Sequence, residues 1–207
     1  MLLLNLPYFG CVAHWALIAS GECYAFDIKG RHQRRTFRTR TVIGMANGEQ
    51  ALTVPTESNY SKPYHDILIN DDTDWRHQHL YALMSAYSNT PFYEYYIDDI
   101  KRVIEGNWTS IWDMNMELHR VIAQLLDIPF NPILSEEEMN AQMDGQLKDL
   151  RIGIEPKYQC RLQENLQPIE YYQVFNSRCG FRPWLSICDL LFNMGPESRL
   201  ILHAMTK

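Results

Sequence analysis

The chain has 207 residues, of which 46% are hydrophobic and 21% are charged, with a formal net charge of −6. This length and composition predict one globular domain over residues 1–207, and the acidic balance argues against general nucleic-acid binding, which needs a basic surface. No stretch reaches the roughly 18 apolar residues that span a bilayer, and the first residues lack the basic flank of a signal peptide. The five scattered cysteines contain no C-x-x-C pair, so we expect a reducing, cytoplasmic setting.

The first third of the chain is predicted to hold most of the strands. A short apolar strand runs into Pro7, a helix follows from Val12 to about Ala19, and residues 23–27 form a second strand. Two further strands, residues 36–45 and 50–55, are joined through Asn47-Gly48, a dipeptide typical of β-hairpins. Residues 66–69 are predicted as another short strand.

The middle third has the apolar spacing of three helices. Asp72 or Thr73 can cap the first helix, which begins near Trp75. Thr90, followed by proline, can cap the second helix, and Thr109 can cap the third. The third helix is expected to end before residue 129.

The last third has a weaker pattern. Residues 135–168 are polar and carry no predicted element. Residues 171–175 are predicted as a strand and residues 183–194 as a helix that Gly195-Pro196 stops. The order of elements predicts an α/β fold in which a mixed β-sheet and a β-hairpin pack against several helices, with α+β as the alternative.

A basic stretch at residues 29–40 is the clearest functional pattern. It holds six Lys or Arg residues and one His, and no acidic residue occurs between Asp27 and Glu49. On a strand, Arg38 and Arg40 share one face at a spacing of roughly 6.8 Å, which suits two guanidinium groups that bind phosphates or carboxylates. The alternative is an edge strand with a solvated charged face.

Polar residues on the apolar faces of the predicted helices are the next candidates. Arg76 and His79 fall inside the apolar sector of their helix, so His79 is a candidate general base, with a satisfied core histidine as the alternative. Asn115 has the same placement on the third helix, where a structural clamp is the more common role. Tyr87 belongs to an aromatic cluster that suits core packing better than a stacking platform for a sugar or base. No metal-ligand pattern is present, because His77 and His79 point about 200° apart on a helix.

Several segments together resemble the WbqC-like family from Leu6 to Gly195. The main ones are Tyr8-Phe9-Gly10, Ala25-Phe26-Asp27, Gln33 with the R-T-F-R-T-R run, Trp75-Arg76-x-Gln78-His79, the run from Ala86 to Tyr96, Asn115, and the run from Pro183 to Pro196. The chain departs from the family pattern at Val42, where an arginine is expected, and this shortens a row of three arginines to two.

The resemblance implies a bacterial protein of the kind found in O-antigen and other surface-polysaccharide gene clusters. It suggests an acyl- or aminoacyl-transferase that modifies a nucleotide-linked or otherwise phosphorylated amino sugar, and it indicates no cofactor or oligomeric state. His79 is the expected catalytic base. The expected substrate-binding residues are Tyr8, Asp27, Gln33, Arg38, Arg40, Arg76, Tyr87 and Asn115. The alternative is a non-catalytic assembly protein whose basic hairpin holds an acidic partner.

Overall fold

The computed structural model of the chain describes residues 1–31, 36–57, 62–135, 147–151 and 166–206. The strands are β1 (Leu2–Leu4), β2 (Tyr24–Phe26), β3 (Arg40–Met45), β4 (Gly48–Thr53) and β5 (Lys148–Asp149). The α-helices are α1 (Val12–Ala19), α2 (Trp75–Tyr87), α3 (Tyr93–Ile104), α4 (Ile111–Leu125), α5 (Asn176–Cys179), α6 (Ile187–Met194) and α7 (Ser198–Ala204). Single 3₁₀ turns lie at Tyr64–Asp66 and Gly195–Glu197.

A small parallel sheet has the strand order β2-β1-β5, with β1 in the centre. Leu2 pairs with Tyr24 on one side and with Lys148 on the other. The side chains of Leu2 and Leu4 are completely buried, as a central strand requires. Together with the antiparallel pair β3–β4 and the surrounding helices, this sheet confirms the predicted mixed α/β fold.

The predicted β-hairpin is present, and its register runs from Arg40 opposite Thr53 to Met45 opposite Gly48. Gly48 has a φ of 139°, a conformation that favours glycine at the end of the two-residue turn. The predicted start of the first strand at residue 36 is wrong, because β3 begins only at Arg40. The residues before it form a turn, in which the carbonyl of Phe37 accepts hydrogen bonds from the backbone N–H groups of Arg40 (3.4 Å) and Tyr8 (2.7 Å).

The three middle helices lie where the apolar spacing placed them, but their predicted caps are wrong. Ser110 caps α4, since its hydroxyl accepts from the N–H groups of Trp112 and Asp113. Asp74 occupies the N-cap position of α2, and Phe92 that of α3, without a side-chain cap bond.

Three other element predictions also change. Residues 66–69 do not form a strand, because Asp66 ends a 3₁₀ turn and the next residues make only isolated bridges, Leu68 with Ser110 and Ile69 with Thr56. Residues 171–175 do not form a strand, because residues 171–173 have no regular secondary structure and residues 174 and 175 lie in a turn. The helix predicted for residues 183–194 begins at Ile187, where Ser186 caps it.

Helix α1 lies in the centre of the fold, and all eight of its residues are buried. It connects β1 to β2 and packs against α6 and α7. In the part of the chain that the structure describes, no helix combines the length and the apolar character needed to cross a membrane.

Candidate functional site

A cleft of about 340 Å³ opens at the carboxyl ends of the parallel strands. Ligands commonly bind at this edge of an α/β sheet, where neighbouring connections diverge. Here β2 lies on one side of β1 and β5 on the other. The residues that line the cleft, which we call the Asp27 cleft, are Leu3, Ala25, Phe26, Asp27, Ile28, Lys29, Ile133, Leu134, Ser135 and Arg151.

The carboxylate of Asp27 is the centre of an ion cluster in the wall of this cleft. Its Oδ2 atom accepts from Arg38 Nη2 at 3.1 Å and from Arg151 Nη1 at 2.9 Å. Its Oδ1 atom accepts from the backbone N–H of Gly30 at 2.8 Å. Arg151 also binds Asp149 through two hydrogen bonds of 3.0 and 2.7 Å, and these hydrogen bonds raise the pKa of Arg151. One carboxylate therefore fixes two guanidinium groups at the edge of the sheet.

The sequence predicted that Arg38 and Arg40 share one face of a strand, but in the structure they do not. The side chain of Arg38 is buried, and its guanidinium donates to Asn5 Oδ1 at 2.6 Å and to the carbonyl of Arg31 at 2.7 Å, in addition to Asp27. The predicted pair of parallel guanidinium groups is wrong because Arg38 lies in the turn before β3. A role for Arg38 in substrate binding stays a prediction, now at the Asp27 cleft.

Asn115 stabilises the turn that contains Arg38. Its Nδ2 atom donates to the carbonyl of Arg38 at 2.9 Å and to the hydroxyl oxygen of Tyr64 at 2.6 Å. That hydroxyl lies 2.9 Å from the same Arg38 carbonyl and 3.1 Å from the carbonyl of Leu6. Asn115 is completely buried. Its contacts are those of a structural clamp, the more common role for an asparagine on the apolar face of a helix.

His79, the predicted base, is buried and hydrogen-bonded to Tyr8. Its Nδ1 atom lies 3.0 Å from the Tyr8 hydroxyl oxygen. Burial lowers the pKa of His79 to about 4, and a backbone interaction with Thr53 opposes this shift. Burial also raises the pKa of Tyr8, so the phenol keeps its proton and we assign the donor role to Tyr8. These are the contacts of a satisfied core histidine, and the catalytic role of His79 stays a prediction.

Arg76 lies one helical turn before His79. It forms an ion pair with Asp71, and its guanidinium carbon lies 4.5 Å from the centre of the Trp75 ring. The positive charge of Arg76 acts on Tyr8 and lowers its pKa against the larger effect of burial. Arg76 therefore belongs to the neighbourhood of Tyr8 and His79.

Arg40 also belongs to that neighbourhood rather than to the Asp27 cleft. It pairs with Thr53 in the hairpin, and the Thr53 backbone interacts with His79. The Nε atom of Arg40 and the Nη2 atom of Arg76 are buried and have no hydrogen-bond partner in the described residues. The structure thus divides the basic candidates between two places, because Arg38 lies at Asp27 whereas Arg40, Arg76 and His79 lie near Tyr8.

Tyr87 belongs to a third group of residues, in the core between α2 and α6. Its hydroxyl oxygen accepts from the backbone N–H of Gly44 at 3.1 Å, and the hydroxyl donates to Asp189 Oδ1 at 3.1 Å. Asp189 Oδ2 accepts from the Tyr171 hydroxyl and from Gln173 Nε2, both at 2.8 Å. Burial raises the pKa of Asp189 to about 6. Tyr87 is completely buried, so substrate contact by this residue stays a prediction.

The remaining predicted residue, Gln33, lies outside the described residues. Sequence reasoning missed Arg151, which lies in the weakly patterned segment. Its only local signal is the alternation of Asp149 with Arg151, which places an acid and a base two residues apart. Among the residues that the structure describes, no three His, Cys, Asp or Glu side chains gather as metal ligands.

Comparison with known proteins identifies a family. The model of the WbqC-like protein family matches residues 6–161, which is well over half of the chain and includes the Asp27 cluster, Tyr8 and His79. No curated protein matches the chain, and no solved structure matches it. By this match, the chain belongs to the WbqC-like protein family.

Proposed function

We propose that the protein is a transferase that binds a phosphorylated or nucleotide-linked amino sugar in the Asp27 cleft, in the synthesis of a surface polysaccharide such as the O-antigen. The observation that carries the proposal is the guanidinium group of Arg151, which Asp27 fixes in the lining of this cleft. The class of substrate is the one that the resemblance to the WbqC-like family implies, as described above.

The charges around the cleft favour an anion. Among the described residues that line the cleft, Lys29 and Arg151 contribute two positive charges and Asp27 contributes one negative charge. The excess is modest, but Arg151 is held by ion pairs with Asp27 and Asp149 and needs little reordering to meet a phosphate. Arginine suits this role because its planar donors match the oxygen atoms of a phosphate.

The other walls of the cleft suit the less polar parts of such a ligand. Leu3, Phe26, Ile28 and Leu134 line it beside the charged residues. A cleft with apolar walls and a few placed polar groups is the usual form of a small-molecule site. Its volume of about 340 Å³ is at the lower end of the range for such sites, which suits a sugar phosphate or part of a nucleotide sugar.

Acyl transfer to the amine of the sugar would form a C–N bond and break the bond between the acyl carbon and its leaving group in an activated donor. The amine would lose one proton in this step. His79 is neutral at pH 7, because its pKa is near 4, but its Nδ1 atom already accepts the Tyr8 proton. The geometry therefore supports binding in the Asp27 cleft more directly than it supports a base at His79.

The alternative of an assembly protein with an exposed basic hairpin has less support. Arg38 is 5% exposed and paired with Asp27, so it presents little charge to a protein partner. Arg40 is partly buried beside β4. The basic stretch is therefore not one continuous exposed surface in its described part.

Isothermal titration calorimetry tests the proposal with UDP-glucosamine, UDP, glucosamine 1-phosphate and unphosphorylated glucosamine, since the amine of these sugars is free to accept an acyl group. We expect binding of the phosphorylated compounds only, and a Kd about tenfold higher in Arg151→Gln, the effect of losing roughly 1.4 kcal/mol of interaction with a charged group. Arg102→Gln is the matched control, since Arg102 is 76% exposed on α3 and does not line the cleft. Absence of binding by every compound, or equal loss in both variants, would refute the proposal.

A further inference from the structure

Asn5 follows β1 directly and joins two of the arginines at the Asp27 cleft. Its Oδ1 atom accepts from Arg38 Nη2 at 2.6 Å, and its Nδ2 atom donates to the backbone carbonyl of Arg151 at 3.0 Å. These partners fix the orientation of the amide, because a guanidinium group can only donate and a carbonyl oxygen can only accept. Asn5 is 9% exposed and is not among the described residues that line the cleft. Any effect of Asn5 on a ligand in the cleft must therefore pass through its neighbours.

The contacts of Asn5 complete a closed ring of polar groups at the carboxyl edge of the parallel sheet. Asn5 follows β1, Asp27 follows β2, and Arg151 comes shortly after β5. Asp27 Oδ2 accepts from Arg38 and from Arg151. Asn5 binds the same two arginines. The ring thus connects the ends of all three parallel strands to one another and to the turn before β3.

Arg151 is fixed at two points, its guanidinium group and its backbone carbonyl. Its ion pair with Asp149 is local in the sequence, so that pair alone does not place the guanidinium relative to the rest of the sheet. Strand β5 pairs with β1 over only two residues, and the backbone N–H of Leu150 donates to the carbonyl of Leu3 at 3.0 Å. The hydrogen bond from Asn5 extends this attachment to the residue that carries the guanidinium group.

We infer that Asn5 is a positioning residue, which holds Arg151 where its guanidinium group can meet a phosphate oxygen. This inference rests on the proposed function, since it takes the Asp27 cleft as the binding site. A guanidinium group that is already ordered loses less conformational entropy when a ligand binds. Asn5 therefore lowers the Kd of a phosphorylated ligand without contacting it.

The reactivity of Arg151 tests the positioning without a ligand. Phenylglyoxal modifies arginine side chains, and peptide mass spectrometry follows the rate at each arginine. In Asn5→Leu, which removes both hydrogen bonds of the amide, Arg151 should react several-fold faster than in the wild type. Arg102, whose side chain is 76% exposed on α3, should react at the same rate in both proteins and serves as the internal reference. An unchanged rate at Arg151 would overturn the inference.

Asn193→Leu controls for a general loss of stability. Asn193 lies in α6 and is also a buried asparagine that connects two segments. Its Nδ2 atom donates to the carbonyl of Asp189 at 2.7 Å, and its Oδ1 atom accepts from the backbone N–H of Val174 at 3.2 Å. This variant should leave the rate at Arg151 unchanged. An equal acceleration in Asn5→Leu and Asn193→Leu would mean that only the stability of the fold matters, and the inference would fail.

Calorimetry with glucosamine 1-phosphate tests the consequence for binding. The Kd should be about fivefold higher in Asn5→Leu than in the wild type, the factor that corresponds to one hydrogen bond of roughly 1 kcal/mol. In an Arg151→Gln background, the same substitution should change the Kd by less than about twofold, because a residue that acts through Arg151 loses its effect when the guanidinium group is absent. A fivefold effect in both backgrounds would overturn the inference.

Asn5→Asp provides a second variant should Asn5→Leu fail to fold. Its carboxylate still accepts from Arg38 but cannot donate to the carbonyl of Arg151. Its added negative charge weakens phosphate binding in both backgrounds, so the part of the effect that disappears in Arg151→Gln reports the positioning. Absence of binding by the wild type would refute the proposed function itself. Binding that depends on Arg151 but not on Asn5 would overturn the inference and leave the proposed function intact.

Discussion

Replacing Asp189 with asparagine should change how the stability of the protein depends on pH. Asp189 is 1% exposed, and its carboxylate accepts hydrogen bonds from Tyr87, Tyr171 and Gln173. None of these donors carries a positive charge. The carboxylate also lies in the first turn of α6, where the helix dipole favours a negative charge. These interactions do not compensate for burial, which raises the pKa of Asp189 to about 6.

The sign of the effect follows from linkage. The pKa of Asp189 is higher in the folded protein, at about 6, than the ordinary value of 3.8 that we take for the unfolded chain. The folded state therefore binds the proton more tightly, and the stabilisation from this proton is lost as the pH rises through 6. Two pKa units correspond to about 3 kcal/mol, of which about 2 kcal/mol should be lost between pH 4.5 and pH 8.

Urea unfolding, followed by tryptophan fluorescence at pH 4.5, 6 and 8, measures this effect. Asp189→Asn has a constant cost at every pH, because the amide nitrogen cannot accept the hydrogen bonds that the carboxylate accepts. Relative to the wild type, the variant should gain about 2 kcal/mol of unfolding free energy from pH 4.5 to pH 8. The comparison at each pH removes the contribution of the histidines, which both proteins share.

Asp113→Asn supplies the matched control, since Asp113 lies in the first turn of α4 and is exposed. This variant should show no comparable gain in unfolding free energy from pH 4.5 to pH 8, because an exposed carboxylate stays hydrated in the folded protein. A difference between Asp189→Asn and the wild type that is the same at all three pH values would refute the reasoning.

Three other variants test neighbouring parts of the structure. Burial lowers the pKa of His119 to about 4, so this residue should lower the unfolding free energy of the wild type by about 3 kcal/mol as the pH falls from 6.5 to 4. In urea titrations, His119→Gln should lose less unfolding free energy than the wild type over this pH range. An equal loss in both proteins would contradict the prediction. In Gly30→Ala, the added Cβ would overlap the Asp27 carboxylate and the Arg38 guanidinium. Thermal melting should therefore show a lower Tm, and calorimetry should show a loss of sugar-phosphate binding. An unchanged Tm and unchanged binding would contradict the prediction, because the ion cluster could then shift to make room for the Cβ. Asn115→Leu removes two buried hydrogen bonds and should cost about 1–3 kcal/mol in urea unfolding, whereas a neutral effect would mean that the clamp is dispensable.

Local patterns in the sequence predicted the helices well. Helix α1 was predicted at Val12 to about Ala19 and has these bounds. The amphipathic spacing of α3 and α4 predicted which of their faces are buried. This prediction needs only local sequence, because apolar residues repeat at about 3.6 positions along a helix with one buried face. The caps were less predictable, since neighbouring residues such as Thr109 and Ser110 both carry a suitable hydroxyl.

The candidate site depends on contacts that no local pattern contains. Arg38 turns toward Asn5, 33 residues earlier in the chain, and Asp27 binds Arg151, 124 residues later. The alternation along a strand predicted a common face for Arg38 and Arg40, and it failed because the strand begins at Arg40. The turn before β3 is bound to Tyr8, whose N–H donates to the carbonyl of Phe37, and this contact joins residues 29 positions apart.

A crystal structure of the protein with UDP-glucosamine is the most direct test of the proposed site. It should place a phosphate oxygen within hydrogen-bond distance of Lys29 or Arg151 in the Asp27 cleft. A ligand bound instead beside Arg76 and His79, with the Asp27 cleft empty, would contradict the proposal.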